Sequence, residues 1–339
     1  MKGKFLLLSC FIAVHVFAQN DSTNANVAKQ ANKKRWPGDE SALRVFYGQR
    51  LINAKTVEVL PKGAMAFTVV HTFGNIAAKD ANGNSDGGTY TFFGLDEISD
   101  AQIGFQIGLG NHLNLLLQHT VGNDKGGAPR HYWEAGLKYQ FLKQATNGSP
   151  LSLTGFGNIV SCAERIPKDP ATGEVIPGFE NSYVNDADRL SELFQLMAAR
   201  RFGNFSLQIS GTYLHTHLVI PGDQNDLFSV GGAVRIPVTQ SVFIIADYFH
   251  SFRSQESIDA WKEYQATHTP GTNQTPRDVF GIGVEILTAG HVFHLNFTNA
   301  RNILENRFLP RTTDQWSEGE FRWGFTLARN FMLFKPKKK

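Results

Sequence analysis

Cysteine is nearly absent: the 339-residue chain holds two, Cys10 and Cys162. Charge is scarce as well, at 19% of residues against ~25% in an average soluble protein. Beyond residue 18 no window holds ~18 uncharged apolar residues, which excludes a second membrane helix. Mean hydropathy is −0.23, so this is not a bundle of membrane helices. Charge imbalance is also missing. The net charge of +3 falls to +1 once Lys2 and Lys4 are set aside with the leader, which leaves no case for a nucleic-acid partner. What is abundant is Gly, with 32 residues, and Phe, with 27. That composition argues against disorder over most of the chain, and the length allows one large domain or two ordinary ones.

The first segment reads as an address. Lys2 and Lys4 precede an apolar run from Phe5 to Val16, and Val16-Phe17-Ala18 is a small-residue cleavage motif, so residues 1–18 are predicted to be a secretory signal peptide. The alternatives are a retained anchor and a lipoprotein box at Leu7-Leu8-Ser9-Cys10. If Cys10 leaves with the signal, Cys162 is the sole cysteine. An intramolecular disulfide and a cysteine metal site are then both excluded. Residues 19–43 are predicted to be a flexible periplasmic linker, rich in Asn, Ala and Gln at first. Within it Lys33-Lys34-Arg35 reads as a solvated patch.

From Ala64 the pattern becomes a period of two, which in a strand sends alternate side chains to opposite faces. Ile103, Phe105, Ile107 and Leu109 oppose Gln102, Gly104, Gln106 and Gly108. Phe205, Leu207 and Ile209 oppose Ser206, Gln208 and Ser210. Twelve such segments are predicted, near 64–73, 100–109, 112–121, 131–142, 151–162, 190–202, 204–217, 226–237, 241–252, 278–288, 291–300 and 319–331. The connections alternate short and long. That is the habit of an outer-membrane barrel, with turns in the periplasm and loops outside. A soluble sandwich would also show many strands, but it would not place every long connection at one end. The polar face is mostly Gly, Ser, Thr, Gln and Asn. The apolar face ends in aromatics such as Trp133, Tyr139, Phe202, Tyr248 and Trp323, as interface girdles do. The predicted fold is therefore all-β: a transmembrane antiparallel up-and-down β-barrel of about 12 strands over residues 44–334. A basic tail, Lys335 to Lys339, follows an aromatic-ended last strand of the kind barrel assembly machinery recognises.

Three stretches resemble an outer-membrane β-barrel family of Gram-negative bacteria, a domain of unknown function. They are Arg50-Leu51-Ile52-Asn53 through Thr56-Val57-Glu58, Leu60, Lys62-Gly63 and His71-x-Phe73-Gly74; Gly87-Gly88-x-Tyr90-x-Phe92-Phe93-Gly94-Leu95-Asp96; and Thr312-Thr313-Asp314-x-Trp316 with Trp323-Gly324-Phe325 and Arg329-x-Phe331. The resemblance implies location and fold. It implies no activity and no catalytic residue.

Motifs with chemical potential are few. Gly155-Phe156-Gly157 and Gly281-x-Gly283 lie inside strands with no helix to hold a phosphate, so they read as packing glycines. His215-Thr216-His217 puts two imidazoles on one face, with no acid nearby in sequence, and reads as an outer rim; His71, His119 and His250 do likewise. Asp80-x-Asn82-x-Asn84-x-Asp86 has oxygen ligands at alternate positions, but Ser85 stands where a calcium loop turns on glycine. It reads as a polar surface loop, with calcium as the alternative. A barrel lipase needs a Ser and a His on one face. His250 and Ser251 are adjacent and point to opposite faces, so no enzyme is predicted, and neither a cofactor nor a metal.

The alternation turns Glu134, Lys138, Arg201, Arg235, Asp247, Glu285 and Arg322 inward. Facing lipid at mid-depth, a basic residue would cost ~2–4 kcal/mol and an acidic one less. Two roles are open to them: a salt-bridged network filling the lumen, or selectivity in a narrow water-filled passage. Residues 44–63 are open too. They lie at the periplasmic mouth as a lead-in strand or short helix, or they tuck inside as a plug, with Arg44, Arg50, Lys55 and Glu58 meeting the inward charges. The leading functional expectation is a channel or transporter for a small solute. The alternatives are a closed structural or partner-docking barrel and, last, a lipid-modifying enzyme. Expected partners are outer-membrane lipid, the barrel assembly machinery and a periplasmic protein.

Overall fold

A computed structural model describes residues 43–77, 92–122, 131–166, 168–176, 183, 185–268 and 275–334. The signal, the linker to residue 42, the 80–86 motif and the basic tail lie outside the described residues.

Twelve strands form a single closed sheet: β1 (Ala64–Asn75), β2 (Ile98–Gly108), β3 (Leu113–Gly122), β4 (His131–Leu142), β5 (Ser152–Cys162), β6 (Leu190–Phe202), β7 (Phe205–Thr216), β8 (Asp226–Pro237), β9 (Val242–Phe252), β10 (Val279–Leu287), β11 (His291–Thr298) and β12 (Arg322–Met332). Each strand pairs antiparallel with its sequence neighbours. β1 closes the ring on β12, from Ala64 opposite Met332 to Asn75 opposite Arg322. Closure leaves no unpaired edge, the condition for crossing a bilayer with strands. Among the described residues no helix is long and apolar enough to cross a membrane.

The faces are inverted relative to a water-soluble barrel. Phe105 is 38% exposed and Ile209 61%, while their neighbours Gln106 and Gln208 are 5% and 2% exposed. An apolar outer belt with a polar lining is what a hydrocarbon surround requires. Phe105→Arg is accordingly expected to impair assembly, at about 2–4 kcal/mol for an arginine at mid-depth. Gln106→Arg should assemble better. The heat-modifiable, folded fraction of each variant on gels checks this, and equal fractions would overturn the face assignment.

Connections 109–112, 143–151, 203–204, 238–241 and 288–290 lie at one end of the barrel, the turn end. The opposite end carries the remaining connections, most of them much longer, which include helix α1 (Gln255–His268) and, between β11 and β12, helix α2 (Glu305–Arg311). Two of these segments run inside. Residues 43–63 enter from the turn end, where Leu43 N donates to Gln144 O at 2.8 Å. They rise as a hairpin and return to Gly63, whose φ of +80° makes the turn into β1. Residues 299–321 descend from the loop end, and Glu305, Asn306, Phe308 and Leu309 of α2 are buried. Together they supply an apolar core within the ring. Val45, Phe46, Leu51, Ile52 and Val57 of the hairpin share it with Phe308 and Leu309. From the wall come Leu193, Met197, Ile245 and Phe249, among others. Of the two placements open for residues 44–63, the structure takes the inner one. The stretch 301–318, read from the sequence as an outer loop, folds inward because Phe308 and Leu309 have apolar partners only there.

Candidate functional site: the filled lumen

The hairpin is built from short polar links. Leu51 N donates to Ala54 O at 2.9 Å and Thr56 N to Gln49 O at 3.1 Å, closing a tight tip. The backbones of Arg50 and Lys55 pair as an antiparallel bridge across it. Lower down, the carboxylate of Glu58 accepts from Val45 N and Phe46 N at 2.8 and 3.0 Å, so one side chain stitches the two limbs. The tip packs on bare backbone at β10. A Cβ added to Gly281 would lie 2.7 Å from Ile52 Cγ2, which is why glycine stands there.

Wall residues then hold this hairpin from several strands. Asp247 on β9 accepts Asn53 N at 2.6 Å, Asn53 Nδ2 at 2.8 Å and Ala54 N at 2.8 Å. Lys138 on β4 donates to Thr56 O and Glu58 O at 2.9 and 3.3 Å. Gln208 on β7 accepts from Val57 N at 2.9 Å and donates to Lys55 O at 2.7 Å. Asn114 on β3 takes both backbone groups of Leu60. These contacts satisfy backbone groups that burial would otherwise leave at a cost of about 1–3 kcal/mol each.

The two inserts meet at mid-barrel. Lys55 Nζ lies 3.2 Å from Glu134 of β4 and 2.8 Å from Glu305 of α2. Arg50 Nη2 donates to Ile303 O at 2.5 Å. A cavity of about 10 Å³ remains beside them, lined by Asn53, Thr72, Asn296 and Thr298 among others, the size of roughly one water.

The seven inward charges read from the sequence divide by task. Asp247, Lys138 and Glu134 hold the hairpin. Arg235 and Glu285 pair with each other at 2.5 Å, and His294 Nε2 stands 3.1 Å from Glu285. Arg322 is paired with Asp314 and so anchors the descending segment. Arg201 differs: it sits at the turn end, only partly buried, and donates to Gly203 O and Arg44 O. Sequence reasoning passed over Glu305 and His294, and quoted Asp314 only as part of the resemblance. Gln208 was read only as polar lining, and Asn114 was not singled out. Their signal was present for the strand residues, in the alternation; Glu305 had none, and Asp314 stood only in the resemblance motif, in aperiodic sequence.

Exchange of the Asn53 and Ala54 amides offers a direct check on the Asp247 anchor. Asp247→Asn keeps the shape but replaces one acceptor oxygen with an N–H₂ group. Loss of a hydrogen bond to a charged group costs about 1.5–3 kcal/mol, so tip exchange should rise roughly tenfold or more while strand amides stay protected. Unchanged tip exchange would sink the anchor.

On the outward face near the loop end the rim histidines have acid partners. His217 Nε2 lies 3.2 Å from Glu192, and His215 Nδ1 2.8 Å from Asp226, which also accepts from Tyr213 at 2.6 Å. This corrects the expectation that no acid sits near this pair: Glu192 and Asp226 arrive from β6 and β8 across the sheet. Among the described residues no group of three or more His, Cys, Asp or Glu side chains is arranged to hold a metal. His250 faces out to Asp278 at 2.9 Å, while Ser251 Oγ donates inward to Leu309 O. The two therefore stand on opposite sides of the wall.

The fold and its lining define a membrane-spanning, all-antiparallel β-barrel whose lumen is occupied by its own chain. The chain belongs to the membrane-bound beta barrel domain family DUF5777, which matches residues 46–331. Solved structures with a similar fold include the COG4313 outer membrane channel from Pseudomonas putida F1, at 13% identity and a TM-score of 0.44, covering 81% of this chain and 98% of that one. The KdgM porin is 6% identical with a TM-score of 0.43 over 79% and 99% of the two chains. The NanC porin is 5% identical at 0.42 over 79% and 98%. No curated protein sequence matches the chain.

Proposed function

We propose that this protein is an outer-membrane transport barrel for a small solute, closed at rest by the hairpin of residues 43–63. Its signal of residues 1–18 is cleaved on export, its turn end faces the periplasm and its loops face outside. One observation carries the reading. The wall charges Asp247 and Lys138 bond the hairpin, and Glu134 pairs with its Lys55, rather than with one another. Apolar filling is generally at least as stabilising as a buried ion pair, so a permanently sealed barrel has no need of these groups. With the hairpin displaced they become the hydrated, charged lining of a passage. A periplasmic partner gripping the linker of residues 19–43 would supply the displacement. Lipid and the assembly machinery that reads the last strand are the other partners, and no catalysis is assigned.

The second reading is a closed structural or docking barrel, favoured by the apolar cluster that the hairpin shares with the wall. Deleting residues 19–60 separates the two. The transport reading expects larger single-channel conductance in planar bilayers and faster antibiotic uptake through a barrel that remains heat-modifiable. Unchanged permeability of an assembled deletion variant would overturn the transport reading and leave the closed barrel.

A further inference from the structure

Above the contact between the two inserts lies a second cavity, of about 40 Å³. Tyr132, Val160, Ser191, Leu214 and Leu227 form its walls. All are inward-facing strand residues, so the barrel wall separates the space from lipid. Among the described residues its charged lining is unbalanced. Arg189, Arg253, Arg307 and Arg311 face two acids, Asp188 and Asp223. Asp223 is already saturated: it accepts from Arg253 Nη1 at 2.9 Å, Ser257 Oγ at 2.5 Å and Trp261 Nε1 at 2.8 Å.

Arg253 is the central residue. Its side chain is only 6% exposed. Nη2 donates to Pro310 O at 2.6 Å and Nη1 to Ser257 Oγ at 2.8 Å, yet Nε is buried with no hydrogen-bond partner among the described residues. A buried guanidinium N–H without an acceptor is costly and points to a missing one. Arg253 and Arg311 also approach the same Trp261 ring, at 5.9 and 5.6 Å, so two cations are held together beside the space. Burial and the nearby Arg311 both hold Arg253 below the ordinary arginine value, with Asp223 opposing them.

We infer that this cavity is a binding site for a small oxyanion, a carboxylate or phosphate group, taken from the loop side. The volume suits a group of only a few heavy atoms, and planar guanidinium forks match carboxylate and phosphate oxygens. The inference deepens the transport reading by naming the solute class, and its role as a loading site rests on that reading. The binding does not. One helix links the site to the plug: α2 presents Arg307 and Arg311 to the cavity and Glu305 to Lys55 of the hairpin.

The test is calorimetry on the full-length barrel in lipid-free detergent, titrated with sodium phosphate and with sodium acetate at fixed ionic strength. Saturable heat with either anion is expected, weakened about tenfold or more by Arg253→Gln and by Arg311→Gln. The Arg311 variant keeps the test open if Arg253→Gln fails to fold, as judged by heat-modifiability. No saturable heat with the folded wild-type barrel overturns the site, as does binding that both folded variants retain in full. If binding is present and the 19–60 deletion leaves permeability unchanged, the site stands and the passage falls. A conducting deletion variant without binding gives the reverse.

Discussion

Lys55→Met should release the hairpin more than any other single change in it. The lysine is the one cation within 4 Å of both Glu134 and Glu305 among the described ion pairs, and its own side chain is 5% exposed. Removing it leaves two carboxylates buried near each other, a situation that costs about 3–5 kcal/mol. Glu134 keeps Asn158 Nδ2 at 2.7 Å, and among the described residues Glu305 keeps a long contact to Gln195 at 3.5 Å. Neither amide neutralises charge. The barrel wall does not depend on Lys55, because its strands are joined by their own ladder. The loss therefore falls on the two inserts. Hydrogen exchange at the hairpin amides is expected to rise by more than about a hundredfold, with strand amides unaffected. Adding Glu134→Gln and Glu305→Gln to Lys55→Met should restore most of the protection, since neutral amides can be buried and hydrogen-bonded. Unchanged protection in Lys55→Met would sink the triad, as would a triple variant no better than the single one.

The strands were legible because a bilayer imposes a strict period of two, and few other constraints on a sequence are so regular. β4 and β6 begin and end where the alternation places them, and β2 begins two residues earlier. The inward charges were legible for the same reason. Asp247 sits between Ala246 and Tyr248, and only one side of that strand tolerates a carboxylate. The filling was not legible. Residues 299–321 carry no alternation, and the acids in them look like any loop acids until Lys55 is placed beside Glu305, 250 positions away. The hairpin was half legible: its charges had no lipid-compatible role, but nothing local says whether Arg50 and Lys55 find partners inside or water outside. The rim histidines illustrate the same limit, since Asp226 reaches His215 through sheet register rather than sequence spacing.

The wall has its own charge centre, and breaking it tests a different part of the molecule. Arg235 on β8 spans to Glu285 on β10, passing β9, and its guanidinium lies 3.3 Å from the ring centroid of Phe243 and 4.4 Å from that of Tyr47. Glu285 is 0% exposed and Arg235 1%. The aromatic faces add cation–π attraction on top of the ion pair. Tyr47 belongs to the hairpin, so the centre also steadies the base of the plug. Arg235→Met removes the charge and keeps most of the volume. Glu285 is then left with His294 alone, and the cost of an uncompensated buried carboxylate is about 3–5 kcal/mol. The loss should appear as a lower urea midpoint for conversion of the fast-migrating folded band to the unfolded one, because β8, β9 and β10 are all strands of the closed ring. Arg235→Met with Glu285→Gln should regain most of that midpoint: a glutamine can still bond His294 and carries no charge that needs compensation. If the single variant unfolds at the wild-type midpoint, the pair is not a stabilising tie across β9. If the double variant is as weak as the single one, the loss lies in the packing of Arg235 against Phe243 and Tyr47 rather than in the orphaned carboxylate.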